Sequence, residues 1–278
     1  MKSDWSAGGV GWVQNERIFD AVLAPFGEVV LRAADLHPGH HVFDIGCGTG
    51  ALLEHAVSVG AAAVGVDISE AMVDAARRRV PSATVVLADA QTTDLRAVAG
   101  APPFDRVVSR FGVMFFEDPV AAFGNIRSAA APGARLAFVC WRNGENPMFT
   151  LGNDVLTDRL ESCPVAGDSA MPGPLAFGDD ERVRTVLGDA GWADVDVEPY
   201  NGMCDYGIAG SDGVDERLAV VLSSRTGRAA RAELEPRLGP DGWTALVEEV
   251  RSELRSHLVD GVLKFVGRVW LVRATNPG

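Results

Sequence analysis

The segment Val42-Phe43-Asp44-Ile45-Gly46-Cys47-Gly48-Thr49-Gly50 joins a short β run, His41 to Ile45, to a helical pattern, Thr49 to Val59, through a turn holding three glycines. Glycine is needed where the backbone takes a positive φ or lies against a ligand with no Cβ between. In open α/β sheets such turns lie at the carboxyl ends of strands, where ligands bind. Gly46, Gly48 and Ala51 also satisfy the loose form of the dinucleotide fingerprint. Asp44 points elsewhere, because a carboxylate there suits a ligand carrying an ammonium group better than a pyrophosphate.

Downstream of this turn the chain alternates strand and helix patterns. Strands are predicted at Ala63 to Asp67, Thr84 to Ala88, Phe104 to Ser109 and Arg135 to Trp141. Helices are predicted at Ser69 to Arg79, capped by Ser69, and from Pro119 to Ala131, ended by Pro132-Gly133. Upstream, Ile18, Phe19, Val22, Leu23 and Phe26 recur at helical spacing, predicting an amphipathic helix from Trp12 that stops near Pro25. Such alternation implies parallel βαβ units in a doubly wound sheet. After Trp141 the rhythm lapses over residues 142–178. It resumes with a helix, Asp179 to Ala190, and a short strand, Val195 to Val197. A detour over 201–260 precedes a last strand, Leu263 to Arg273. Within it Trp243, Leu246, Val247, Val250, Leu254 and Leu258 form one helical stripe. A detour of that length reads as a lid over a ligand site or as a packing appendage.

Composition sets the outer limits. The chain has 278 residues, 47% of them hydrophobic and 23% charged, which suits a folded domain with a sizeable core. Twenty-five basic against 38 acidic residues leave a net charge of −13, so nucleic acid is not expected as a partner. The N-terminus lacks a basic run followed by an apolar one, and no apolar stretch approaches the roughly 18 residues of a membrane span. Cys47, Cys140, Cys163 and Cys204 are scattered, which argues against a disulfide framework and a zinc knuckle; no metal is expected. The expectation is a reduced, soluble, cytoplasmic protein without membrane insertion. The oligomeric state, a homodimer included, is left open.

Asp44-Ile-Gly-Cys-Gly-Thr-Gly50 resembles motif I of the class I S-adenosylmethionine (SAM) dependent methyltransferases. Val64-Gly-Val-Asp-Ile-Ser69, Val86-Leu-Ala-Asp-Ala-Gln91, Phe104 to Phe116 (FDRVVSRFGVMFF) and Ala131 to Phe138 (APGARLAF) match that family's later motifs in order, with Ala134 in place of the second glycine of LKPGG. The match covers about residues 40–141 well and 179–275 in topology. It looks most like the small-molecule branch related to ubiquinone and menaquinone biosynthesis methyltransferases. The resemblance implies an α/β, Rossmann-like, doubly wound fold. Its seven-stranded sheet would be mostly parallel, with an antiparallel last strand and a helical insertion. It also implies a SAM-binding domain over 31–200 and 261–278, an N-terminal helical cap over 1–30 and a substrate lid over 201–260.

The cofactor contacts it implies are Asp44, Gly46, Cys47 (through its backbone), Gly48 and Gly50 in the loop. Asp67 would accept the ribose hydroxyls, with Ile68 beside it. Asp89 would accept the adenine amino group and Ala90 would present its N–H to the ring. Met72 packs on adenine or fills the core, and Ser109 closes the fourth strand. Trp5 and Trp12 either cover the sulfonium or pack in the core. The implied activity is transfer of a methyl group to a small-molecule metabolite by in-line displacement, giving S-adenosylhomocysteine, with alignment and water exclusion as the main devices. No general base stands out: His257, Tyr206 and Glu16 are weak candidates, Arg110 weaker still. The corresponding place of the (N/D)PP(Y/F) tetrapeptide of exocyclic-amine nucleic-acid methyltransferases reads SRFG, and Cys140 sits in an apolar strand unsuited to a nucleophile. An NAD(P)-dependent oxidoreductase and a non-catalytic SAM-binding protein are the alternatives.

Overall fold

The computed structural model describes residues 9–99, 102–161 and 171–278. Trp5 and Cys163 lie outside these. Seven strands form one sheet: β1 (His41–Ile45), β2 (Ala62–Asp67), β3 (Thr84–Leu87), β4 (Phe104–Arg110), β5 (Ala130–Trp141), β6 (Ala193–Asp205) and β7 (Lys264–Thr275). Their order is β3-β2-β1-β4-β5-β7-β6. Strands β1 to β5 pair in parallel, and β7 runs antiparallel between β5 and β6. The expected doubly wound, mostly parallel seven-stranded sheet is therefore present. β1 reads as an almost unbroken buried run because helices cover both faces of a parallel sheet. The strand order reverses between β1 and β4, and that switch point opens a crevice beyond their carboxyl ends.

Residues 9–14 are helical (α1) and lead into α2 (Glu16–Ala34). Contrary to the expectation, α2 does not stop near Pro25; it runs on to a left-handed cap at Asp35. Proline inside a helix costs about 3 kcal/mol. Packing offsets that cost. Phe26, Val29, Val30 and Ala34 are buried against the sheet, and such side chains each contribute roughly 1.5–3 kcal/mol when large. Phe26 lies on the paired glycines Gly202 and Gly267 of β6 and β7, where a Cβ on either would come within 2.7 Å of its ring.

Helices α3 (Ala51–Ser58), α4 (Glu70–Arg79), α5 (Leu95–Ala99) and α6 (Pro119–Ala129) connect the parallel strands. Ser69 occupies the N-cap position of α4, yet its hydroxyl makes no cap bond and is buried without a partner. Asp118 does cap α6, accepting from the Ala121 N–H at 3.0 Å. β5 begins at Ala130, ahead of Pro132-Gly133, with a register shift against β4 that accommodates the turn.

After β5 come the short helices α7 (Pro147–Thr150) and α8 (Asn153–Thr157), then α9 (Asp180–Asp189) and β6. The predicted strand at Val195 to Val197 is the middle of a much longer one, which continues to Asp205 through the start of the 201–260 stretch. Helices α10 (Val214–Ser223) and α11 (Arg225–Ser256) follow. α11 begins well before the predicted Trp243, and it breaks at Gly239, whose φ is 72°. Its first half buries little beyond Ala230 and Leu234, too few positions to give a sequence stripe. β5 and β6 run the same way, so both excursions leave the sheet at its carboxyl end, beside the switch-point crevice. Among the described residues no helix is long and apolar enough to cross a membrane.

Arg217 of α10 ties the two excursions together. It is 1% exposed. Its guanidinium donates to the carbonyls of Leu151, Pro147 and Met148 at 2.7, 3.2 and 3.0 Å, and to the Tyr206 hydroxyl at 3.1 Å.

Candidate active site

The glycine turn is held by backbone bonds, Cys47 N–H to Val66 at 3.0 Å and Gly50 N–H to Cys47 at 2.9 Å. Gly46 and Gly48 are left-handed, with φ of 66° and 54°. They serve different ends. A Cβ on Gly46 would lie 2.7 Å from the Cα of Gly112, so the β1 turn and the turn after β4 cross there in direct backbone contact. A Cβ on Gly48 would meet nothing of the described residues within 4 Å: among them this glycine borders open space. Cys47 is buried, and burial pushes its thiol well above the usual range, with Asp44 and Asp67 adding to the effect. Its thiol is inert, consistent with a backbone role.

Asp67 closes the turn from the neighbouring strand. Its two carboxylate oxygens accept from the N–H groups of Gly48 and Ser69, both at 2.9 Å. Burial raises its pKa, and those backbone donors, with that of Ile68, oppose the rise. The carboxylate keeps acceptor capacity for a further donor. Ile68 is 38% exposed at the rim, whereas Met72 is buried beneath. Asp89, at the end of β3, accepts from Gln91 N–H at 3.0 Å through its side chain and from Thr92 and Thr93 through its carbonyl. The Asn125 amide donates to the Ala90 carbonyl at 2.8 Å and fixes that turn.

Asp44 differs from the other two acids. It is 1% exposed, and neither carboxylate oxygen has a hydrogen-bond partner among the described residues. Burial raises its pKa to about 7, with Arg110 pulling down and Asp67 pushing up. A buried acid lacking a donor is costly unless a ligand supplies one. That orphaned acid beside an open glycine fits the amino-acid end of SAM, whose ammonium is a donor of the required charge.

Ser109 has a different part. Fully buried, it donates to the Ile45 carbonyl at 2.7 Å and accepts from Gly112 N–H at 3.2 Å, stapling the two crossing turns. Trp12 stacks on Phe19 with centroids 3.8 Å apart. The segment around it reaches both α4 and α10. Gly9 abuts Ser69 and Met72, and Asn15 donates to Ser223 of α10 at 3.2 Å.

The three candidate bases are not brought together. His257 is exposed and 3.1 Å from Glu253; it borders a groove of about 340 Å³ lined by α7, α8, α11 and the start of β7, with no residue of the glycine turn. Tyr206 is buried and held by Arg217, and burial raises its pKa. Glu16 pairs with Arg79 at 3.3 Å.

Sequence reasoning did not reach Phe111, Gly112 and Asp20. Phe111 is left-handed, with φ of 65°, a strained state for a bulky residue that costs about 1–3 kcal/mol. Stacking on Trp141 at 4.2 Å and edge contact with Phe26 at 5.5 Å hold it. The glycine in SRFG was the available signal for a second tight turn. Nothing local marks Asp20, which becomes significant only when α2 lies over β4.

This fold, with a switch-point glycine turn and acids at the ends of β1, β2 and β3, is that of the class I SAM-dependent methyltransferases. Residues 43–138 match the methyltransferase domain family. An uncharacterised Mycobacterium tuberculosis protein is 27% identical over 171 residues, covering 61% of this chain and 60% of its own length, so the match spans about three fifths of that relative. A demethylmenaquinone methyltransferase of Renibacterium salmoninarum is 25% identical over 185 residues, covering 63% of this chain and 75% of its own. Among solved structures, a putative methyltransferase of Bacillus halodurans superposes with a TM-score of 0.55 at 18% identity, covering 91% of this chain and 99% of that one.

Proposed function

We propose that this protein binds SAM at the switch-point crevice and transfers its methyl group to a small-molecule metabolite. The observation that carries the reading is the Asp44 carboxylate, without a partner among the described residues, beside the open glycine turn. In this reading Asp44 receives the ammonium and the backbone of Gly46 to Gly50 passes against the methionine chain. Asp67 takes the ribose hydroxyls with its remaining acceptor capacity. Asp89 and Ala90 read the adenine edge, Ile68 covers it from the rim, and Met72 supports it from below. Ser109 positions the turn without touching the ligand. A pyrophosphate cofactor fits poorly, because Asp44 would face its charge.

Bound SAM supplies a methyl group already activated by the positive sulfur, so the chain needs no nucleophile. Its work is alignment and exclusion of water, which together can supply several kcal/mol. The N-terminal cap (1–30) and the excursions at the carboxyl end, 201–260 among them, serve as the cover and line the acceptor site. His257, Tyr206 and Glu16 are each engaged elsewhere, so the acceptor is one whose proton need not leave before the methyl arrives. The named methyltransferase relative supports a small apolar acceptor. A cytoplasmic protein acting without nucleic acid is consistent with the acidic charge.

The direct test is incubation with methyl-labelled SAM and metabolite extracts, followed by mass spectrometry. A labelled small molecule is the expected result; SAM binding with no labelled product from any pool would favour the non-catalytic alternative. Asp67→Ala should weaken S-adenosylhomocysteine binding by about 10–100-fold, since it removes a charged acceptor and frees the Gly48 turn. Unchanged affinity by calorimetry would remove Asp67 from the contacts.

A further inference from the structure

Arg110 closes β4 with its guanidinium beneath α2, and its side chain is only 12% exposed. A guanidinium carries five N–H donors, and a buried one short of acceptors is costly. Arg110 is short of them. The Leu23 carbonyl lies 3.5 Å from Nη1, at the limit of a hydrogen bond, and Asp20 is 3.9 Å from Nη2. Helix α2 passes over it at Gly27, where an added Cβ would touch Nη1 at 3.6 Å.

Asp44 is the other under-supplied buried charge nearby: it pairs in register with Val108 of β4, two residues before Arg110, so both side chains lie on the same face of the sheet, and each favours the other's charged form. On the far side Asp20 is shared. Arg79 donates to it at 2.6 Å and also holds Glu16 at 3.3 Å and Glu54 at 2.8 Å. The result is an alternating row from the glycine turn to α2 and α4: Asp44, Arg110, Asp20, Arg79, then Glu16 and Glu54. Four carboxylates stand against two guanidiniums, so the row lacks positive charge, and the shortfall is at the Asp44 end, where no donor among the described residues reaches the carboxylate.

We propose that Arg110 is the resident counter-ion of Asp44 and a positioning residue for the ligand's cationic head. When an ammonium docks on Asp44, Asp20 takes up the charge of Arg110 and draws α2 onto β4. This rests on the assignment of the crevice to SAM. The groups facing Asp44 are Arg110 from β4, Asp67 from β2 and the Cys47 thiol of the turn. Those facing Arg110 are Asp20 from α2, Arg79 from α4 and Asp44.

The test uses the full chain and two probes. S-adenosylhomocysteine carries the ammonium; methylthioadenosine is the same nucleoside thioether without the amino-acid head. Affinities are measured by calorimetry from about pH 6 to 9. In the wild type the S-adenosylhomocysteine profile should have an acid limb set by Asp44, and the methylthioadenosine profile should be flat. Arg110→Met should move that limb upward by about one pH unit, because Asp44 loses its neighbouring cation, and leave methylthioadenosine within about twofold. Arg110→Lys should bring the limb back. Asp20→Asn should move it the other way, since Arg110 then turns to Asp44 alone. Equal losses for both probes, or an unmoved limb in Arg110→Met, would overturn the role of Arg110. If Arg110→Met does not fold, an unmoved limb in Asp20→Asn overturns it instead. Wild-type protein that binds neither probe would sink the SAM assignment, a different failure from either.

Discussion

Asp44→Asn is expected to cost S-adenosylhomocysteine affinity on the order of 100-fold while raising the melting temperature of the ligand-free protein. Both effects come from one fact, a buried carboxylate with no donor among the described residues. Breaking a buried charged pair typically costs 2–5 kcal/mol, and each 1.4 kcal/mol is tenfold in affinity. The stability effect has the opposite sign. The folded-state pKa of about 7 lies above the ordinary carboxylate value of 3.8. Between those values the folded protein binds more protons than the unfolded chain, so stability falls as pH rises through that window. Above pH 7 the full penalty, up to about 4 kcal/mol, is in place. Asparagine escapes it, so the gain in melting temperature should be largest above pH 7 and fade toward pH 4. The same titration makes ligand affinity fall as pH drops below about 7, where Asp44 is protonated before the ligand binds. Thermal scans and calorimetry across pH check both; a lowered melting temperature at pH 8 would contradict the argument.

Arg217→Ala should be the most destabilising single change, by about 3–5 kcal/mol. Its loss removes this donor from the carbonyls of Leu151 and Met148, each worth roughly 1–3 kcal/mol when buried, while the Pro147 carbonyl keeps the Leu151 N–H, and it opens a large cavity. The Tyr206 hydroxyl loses its partner as well. In a chain of this size that corresponds to a melting temperature lower by roughly 10 °C. Arg217→Met fills most of the volume but donates to none of these acceptors, so it should recover only part of the loss. Urea unfolding measures both; a change under about 1 kcal/mol for the alanine variant would show that the carbonyl cage contributes little.

The glycine turn and the three strand-end acids were legible because each depends on local chain: a strand, a turn with special φ, a carboxylate at a fixed place. The fold class followed from the alternation of periods. What was missed depends on tertiary packing. Pro25 is a helix-stopping signal that loses to the seating of Phe26 on Gly202 and Gly267. β6 was cut short because Pro199, Asn201 and Gly202 interrupt its pattern, yet the long pairing with β7 carries it to Asp205. Tyr206 attracted attention as a possible base, but its place is set by Arg217, far along the sequence. Ser69 looked like a helix cap and is instead a buried hydroxyl under the bare Cα of Gly9. The row from Asp44 to Glu54 draws on β1, β4, α2, α4 and α3, and no window of sequence contains it.

The crossing of Gly46 and Gly112 has a practical corollary for anyone wishing to retarget the protein. Their alpha carbons leave no space for even a methyl group, so every library that diversifies either residue will fill with misfolded clones. Variation aimed at new acceptors belongs in the exposed positions of Pro147–Thr157 and Val214–Ser256, with Arg217 and the carbonyls it holds kept, because these elements lie apart from the crossing of the two turns.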